Sequence, residues 1–268
     1  MVCNETPKLT SFVALRLACR TALGSHSRAR RRSLGAASPP HGRSVPSERP
    51  GDTEVTELLF IRHGETDWNR QQRFQGQTDV PLNAAGLAQA QRLGARLAGE
   101  LHDDFFTSDL SRARETAAPL AAAWGKVPVA MRGLREQHFG VLEGLDVPTI
   151  KLRHADLWQR WLEQRGDFAL PGGESLVEFH ARVLDAVRQL AEAAPGRRLA
   201  VVTHGGVLDM LWRTVHGLPV AGLRTCEIPN TGINRLRWVN GTLHIEQWAD
   251  AAHLEGLPEQ ASTAAGER

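Results

Sequence analysis

From Glu57 onward the chain alternates between two hydrophobic periods, and the switches between them outline a fold. Residues 58–62 form a short apolar run with the length of a buried strand. Asn83 then stands where a helix N-cap belongs. Behind it Leu87, Ala90, Leu93 and Leu97 recur at three- and four-residue intervals, which predicts an amphipathic helix. The segment "DFFTS" (104–108) reads as a second strand, 110–124 as a helix and 127–131 as a third strand. Residues 148–165 read as helical, and 174–194 as a long helix with Leu176, Phe179, Val183, Val187 and Leu190 on one face. A strand at "RLAVVTH" (198–204) runs into the helix "GVLDMLWRTVHG" (206–217). Strands at 235–239 and 243–249, joined across Asn240-Gly241, predict a terminal hairpin.

Strands alternating with helices predict an α/β three-layer sandwich, a mostly parallel central sheet with helices on both faces. The expected domain spans 55–252, with no internal repeat. Residues 253–268, rich in Ala, Glu and Gly, read as a frayed C-terminal tail. Residues 1–54, rich in Arg, Ser, Pro and Gly, read as a disordered basic extension that cannot bury enough apolar surface to order itself. An organelle-targeting peptide is the competing reading of that segment, because it is rich in Arg and Ser and poor in acids.

Charge changes the picture less than its total suggests. Residues 1–50 carry nine Lys and Arg against Glu5 and Glu48, so a chain of net +2 has a mildly acidic body. The basic balance therefore gives no ground for nucleic-acid binding by the domain. No stretch approaches the roughly 18 consecutive apolar residues of a membrane span, so no membrane partner is expected. Cys3, Cys19 and Cys226 form no metal-ligand or disulfide pattern, which fits a reducing cytoplasm. Arg outnumbers Lys 29 to 3, a bias that suggests a GC-rich, bacterial genome.

In open α/β sheets, ligands bind beyond the carboxyl ends of the strands. Two strands here end in a histidine followed by glycine: Arg62-His63-Gly64, and His204-Gly205-Gly206. The glycines would let a ligand approach the backbone. In "TSDLSRARET" Arg112 opens a helix after another strand, where a helix N-terminus and a guanidinium fork both favour phosphate. Arg114 reads as a solvated arginine on the same helix. Glu136, in "LREQHFGVLEG", sits in a loop with no evident structural duty. Two imidazoles, arginines and a carboxylate at strand ends suit transfer of a dianionic phosphoryl group, which needs positioning, charge neutralisation, a nucleophile and a proton donor.

The blocks R-H-G-E-T-x-W-N, S-D-L-x-R-A-x-x-T, L-x-E-x-x-F-G-x-x-E-G and T-H-G-G stand in the order and spacing of the histidine phosphatase superfamily, which the chain resembles over about residues 57–250. The resemblance implies that His63 attacks phosphorus to form a phosphohistidine, its other ring N–H held by a backbone acceptor. It implies that Arg62, Arg112 and His204 surround the phosphoryl oxygens, His204 as imidazolium. It makes Glu136 the group that protonates the leaving oxygen and then deprotonates water. Asn69 and the Gly205 N–H would complete the pocket, with Gln75 near substrate phosphate, whereas Glu65 reads as structural. Many such relatives are dimers, which leaves a homodimer open. The mechanism calls for no metal, and the sequence carries neither an acidic cluster nor a G-x-x-x-x-G-K or G-x-G-x-x-G loop, so no cofactor is expected.

Both phosphatases and phosphoglycerate mutases occur in this superfamily. A mutase must exclude water and hold a substrate carboxylate, and the resembling mutases carry a longer insertion with an adjacent Arg pair. Here only 35 residues separate Glu136 from Gly172, and Arg160 and Arg165 are not adjacent. "PGGES" followed by Arg182 also resembles the phosphatase branch. The expected activity is hydrolysis of a small phosphorylated metabolite, with a mutase-type isomerase as the alternative. An inactive binding homologue is disfavoured because all five central residues are present.

Overall fold

The computed structural model describes residues 55–260 apart from Gln164 and Glu259. The expectations for residues 1–54 and 261–268 lie outside the described residues. The six strands among the described residues are β1 (Thr56–Arg62), β2 (Asp104–Ser108), β3 (Val129–Met131), β4 (Arg198–Thr203), β5 (Ile233–Val239) and β6 (Thr242–Asp250). They form one sheet in the order β3-β2-β4-β1-β5-β6. The first four are mutually parallel; β5 runs antiparallel to β1, and β6 to β5. The mostly parallel sheet expected from the alternation is therefore present, with an antiparallel hairpin closing one edge. That hairpin turns through Asn240 and Gly241, both at positive φ (50° and 79°), as the two-residue turn requires.

Among the described residues seven helices accompany the sheet: α1 (Asp67–Arg70), α2 (Ala84–Leu97), α3 (Ser111–Trp124), α4 (Val147–Arg153), α5 (Ala155–Leu162), α6 (Leu176–Glu192) and α7 (Gly205–Val215). Alternate strand residues feed two layers, which is why the β1 run is apolar throughout. Leu58 and Phe60 pack with Phe179, Val183, Val187 and Leu190 of α6 and Val207, Leu208 and Leu211 of α7. Leu59 and Ile61 pack with Leu93 and Leu97 of α2 and Ala113, Ala117 and Leu120 of α3. Each fully buried Leu, Phe or Val contributes roughly 1.5–3 kcal/mol. A third cluster, with Phe139, Leu142, Ile150, Trp158 and Leu170, lies beneath α4 and α5.

Caps account for most helix starts. The Asn83 side chain accepts from the Gly86 N–H, as expected. Ser175 and Glu178 form a reciprocal capping box on α6. Several expectations need correction. Leu87 is half exposed, because the buried face of α2 runs through Gly86, Gln89, Ala90, Leu93, Gly94 and Leu97 instead. Val127 stands outside β3 and is 77% exposed. The single helix expected over 148–165 is two, broken at His154, whose φ of −136° and ψ of 43° leave the helical region. Packing also continues past residue 252. A 3₁₀ turn at Ala252–Leu254 buries His253 against Thr231, and the Gln260 side chain pairs with the Asn230 backbone.

Candidate active site

β2, β4 and β1 are neighbours, and their carboxyl ends are level: Arg62 pairs with Thr203, and Thr107 with Val202. The next residues along β1 and β4 are His63 and His204. The His63 N–H donates to the Thr203 carbonyl at 2.9 Å, and the two imidazole rings stand 5.2 Å apart between centroids.

His63 is 3% exposed, and its Nδ1 lies 2.7 Å from the Gly64 carbonyl. A carbonyl only accepts, so Nδ1 carries the proton and Nε2 presents its lone pair. Burial first, then the Arg112 and Arg62 charges, push the His63 pKa well below 6.5, outweighing the backbone acceptor. The imidazole is neutral at pH 7.

Arg112, in the first turn of α3, is wholly buried. Its Nη2 donates to the Gly76 carbonyl at 2.6 Å, its Nη1 to Thr78 at 3.0 Å and its Nε to His204 Nδ1 at 3.3 Å. Those three bonds leave two guanidinium N–H groups for an anion. Desolvation pulls its pKa down to about 10, partly countered by Glu136, Asp79 and Glu143, so it stays cationic near neutrality. Arg62 donates from Nη1 to the Ile228 carbonyl at 2.5 Å.

His204 departs from expectation. Its Nδ1 accepts from Arg112 and its Nε2 lies 2.8 Å from the Ser108 hydroxyl. Burial, Arg112 and then His63 push its pKa well below 6.5. Burial first, and then the Arg112 guanidinium standing where an imidazolium would need an acceptor, favour the neutral imidazole.

Glu136 hangs over the N-terminus of α7. Its Oε2 accepts from the Gly206 N–H at 3.0 Å and its Oε1 from Gln137 N–H at 2.9 Å. A Cβ on Gly206 would lie 2.0 Å from Oε1, so only glycine leaves room for this carboxylate. Gly64 has a different reason from the one expected: an added Cβ would meet the Gly86 backbone carbonyl at 2.7 Å, so it serves the close approach of α2.

His63, Arg62, Arg112, His204, Gly205 and Glu136 thus gather about the carboxyl ends of β1, β2 and β4. Asn69 and Gln75 are linked to each other through Thr66, whose hydroxyl lies 3.1 Å from Asn69 Oδ1 and 3.0 Å from Gln75 Oε1. Asn69 also accepts from the Thr66 N–H, so part of its side chain caps α1. Arg114 is exposed, and Glu65 is buried between Asn83 and Arg70, as their structural readings required.

Other residues support this site without having been given a role in it. Arg182 pairs with Glu174 and donates to the carbonyls of Gly133, Arg135 and Glu136, fixing the loop that carries Glu136. Glu143 accepts from the backbone N–H groups of Gln77, Thr78 and Phe139, tying that loop to the one that holds Arg112. Asn230 donates to the His63 carbonyl at 2.9 Å. Glu143 lay inside a recognised block, and Glu174 and Arg182 in the PGGES-to-Arg182 pattern noted for the phosphatase branch; Asn230 gave no local signal.

Two buried imidazoles set among buried arginines, with a carboxylate held at a helix N-terminus, are groups suited to phosphoryl transfer. The family profile of the histidine phosphatase superfamily (branch 1) matches residues 58–251, and the chain belongs to that superfamily. It is 37% identical over 208 residues to phosphoglycerate mutase-like protein 4 of Arabidopsis thaliana, covering 76% of this chain and 89% of that protein. It is 33% identical over 209 residues to the metal-independent phosphoserine phosphatase of the same plant, covering 77% and 86%. Among solved structures, Bacillus stearothermophilus YhfR superposes with a TM-score of 0.70 at 30% identity, covering 75% of this chain and all of that one. A mycobacterial glucosyl-3-phosphoglycerate phosphatase superposes with a TM-score of 0.62 at 28% identity, covering 73% and 99%. With phosphatases on both sides of the comparison, the chain is a phosphoric monoester hydrolase of this superfamily. Among the described residues no helix is long and apolar enough to cross a membrane.

Proposed function

We propose that the chain hydrolyses a small phosphoric monoester in two steps through a phosphohistidine on His63 Nε2. The observation that carries this reading is the 2.7 Å bond from Nδ1–H to the Gly64 carbonyl, which fixes the tautomer and leaves Nε2 unprotonated. In the first step Nε2 attacks phosphorus and the P–O ester bond breaks, while Glu136 gives its proton to the departing alkoxide. In the second, water attacks phosphorus, Glu136 takes its proton, and the P–N bond breaks to release inorganic phosphate. Arg62, the two remaining Arg112 N–H groups and the Gly205 N–H at the start of α7 neutralise the phosphoryl oxygens. Neutral His204, held by Ser108, keeps Arg112 in register. Asn69 and Gln75, joined through the Thr66 hydroxyl, are assigned to substrate phosphate on the motif match.

Hydrolysis is favoured over mutase chemistry by the state of the two arginines between Glu136 and Gly172. Arg160 lies over the Phe168 ring at 4.2 Å, and Arg165 pairs with Asp167 at 3.3 Å. Neither forms a paired clamp for a second substrate group. Rapid quenching with a radiolabelled phosphate ester should trap an acid-labile, base-stable phosphoprotein that is absent in His63→Ala. Undiminished label on His63→Ala would refute the assignment.

A further inference from the structure

Beside Glu136 a pocket opens between α6, α7 and the loop that follows α7. It is lined by Phe179, Leu176, Met210 and Val220, with Asp209 and Arg224 at its polar end. Arg224 belongs to none of the interactions described above. Its side chain is 10% exposed, its Nε is buried, and among the described residues it makes no hydrogen bond. Its nearest counter-charge, Asp209 Oδ1, lies 3.8 Å away, too far for a hydrogen bond, and that oxygen is unbonded as well. The other Asp209 oxygen is taken by Arg213 Nε at 3.0 Å. Two arginines and one aspartate, all nearly buried, carry a net charge of +1 with no hydrogen-bond acceptor for the outer guanidinium. A buried donor set of this kind costs free energy until an acceptor arrives.

The position is also built rather than incidental. Arg213 donates to the carbonyls of Pro219, Ala221, Gly222 and Leu223, so four bonds fix the loop that delivers Arg224. An added Cβ on Gly205 would lie 3.4 Å from Arg62 Nε and 3.9 Å from Arg224 Nη2, so the two guanidinium groups are at most about 7 Å apart. A carboxylate two or three bonds beyond an ester oxygen lies about 4–6 Å from phosphorus, given single bonds near 1.5 Å. Phosphoryl group on Arg62 and carboxylate on Arg224 therefore match one short molecule, with its ester oxygen toward Glu136.

We propose that Arg224 is the specificity residue for a carboxylate on the leaving group, so that the substrates are phosphate esters of small hydroxy acids. This rests on the phosphatase reading and adds the substrate class. Its test compares two esters of one size on the intact enzyme: 3-phosphoglycerate, and glycerol 3-phosphate, in which the carboxylate is a hydroxymethyl group. A hydrogen bond to a charged partner contributes about 1.5–3 kcal/mol, so kcat/KM should favour 3-phosphoglycerate about 10–100-fold. In Arg224→Gln that ratio should fall toward one, and Arg224→Lys should restore part of it. Equal turnover of the two esters by the unaltered enzyme would overturn the proposal without any variant. So would an equal fold-loss on both esters in Arg224→Gln, which marks a structural arginine. Either result leaves the phosphohistidine intact; failure to label His63 with any ester would remove the phosphatase reading itself.

Discussion

Replacing Gly206 by alanine isolates what the position of Glu136 contributes. The new Cβ would lie 2.0 Å from Glu136 Oε1 and 3.1 Å from Phe179 Cε1, whereas ordinary contact begins near 3.4 Å. The carboxylate must therefore retreat by about 1.4 Å and give up its bond from the Gly206 N–H. Misplacing a catalytic group by about 1 Å costs on the order of 10²-fold in rate, roughly 2.7 kcal/mol of transition-state stabilisation. The loss should fall on substrates that need a proton donor. The assay is kcat/KM on an alkyl phosphate and on p-nitrophenyl phosphate, whose leaving group departs without much protonation. Gly206→Ala should lose about 10²-fold on the first and far less on the second, and Glu136→Gln should show the same pattern. The double variant should be little worse than either alone, because both act through one carboxylate. Thermal stability should not fall with activity, since alanine is better than glycine in a helix by up to about 1 kcal/mol. Equal losses on the two substrates, or none, would refute the reasoning.

Three more outcomes are expected. His63 and His204 have pKa values held below that of an unfolded histidine, so the unfolded chain binds more protons as pH drops beneath 6.5. Their contribution to stability is present above pH 6.5 and is lost as pH falls through the folded-state values; thermal melts over pH 5–8 should show less of this loss in His63→Asn. The same shift puts the acid limb of kcat/KM that belongs to His63 well below pH 6.5. Leu120→Ala, at a fully buried site, should cost about 2–5 kcal/mol in urea unfolding, whereas Leu87→Ala, half exposed, should stay within about 0.5 kcal/mol.

Strands and helices were legible because this sheet buries both faces, so β1 must read as an unbroken apolar run. The α2 stripe was legible only approximately. Leu87 fits the spacing, yet the helix leans on Gly86 and Gln89, which bring the backbone of α2 against Gly64 and Glu65. The break at His154 lay behind Asp146, whose side chain caps α4 just ahead of Pro148, a start signal next to a segment read as one helix. Histidines at strand ends were conspicuous; what surrounds them was not. Ser108 meets His204 across 96 residues, and Arg182 meets Glu136 across 46. No local pattern encodes such pairings. The charge of His204 was misread for the same reason, since it depends on the burial of Arg112 and on which atom its Nε faces.

Arg112 has one further consequence. With no exposed surface and its guanidinium anchored on the Gly76 and Thr78 carbonyls, it lies out of reach of the ionic atmosphere. Dissolved counter-ions weaken surface charges beyond about 8 Å at physiological ionic strength, but screen a buried pair far less. In the proposed role of Arg112, the grip on a phosphoryl group would thus be decoupled from the salt content of the medium. Only the approach of the substrate across the mildly acidic body remains exposed to it.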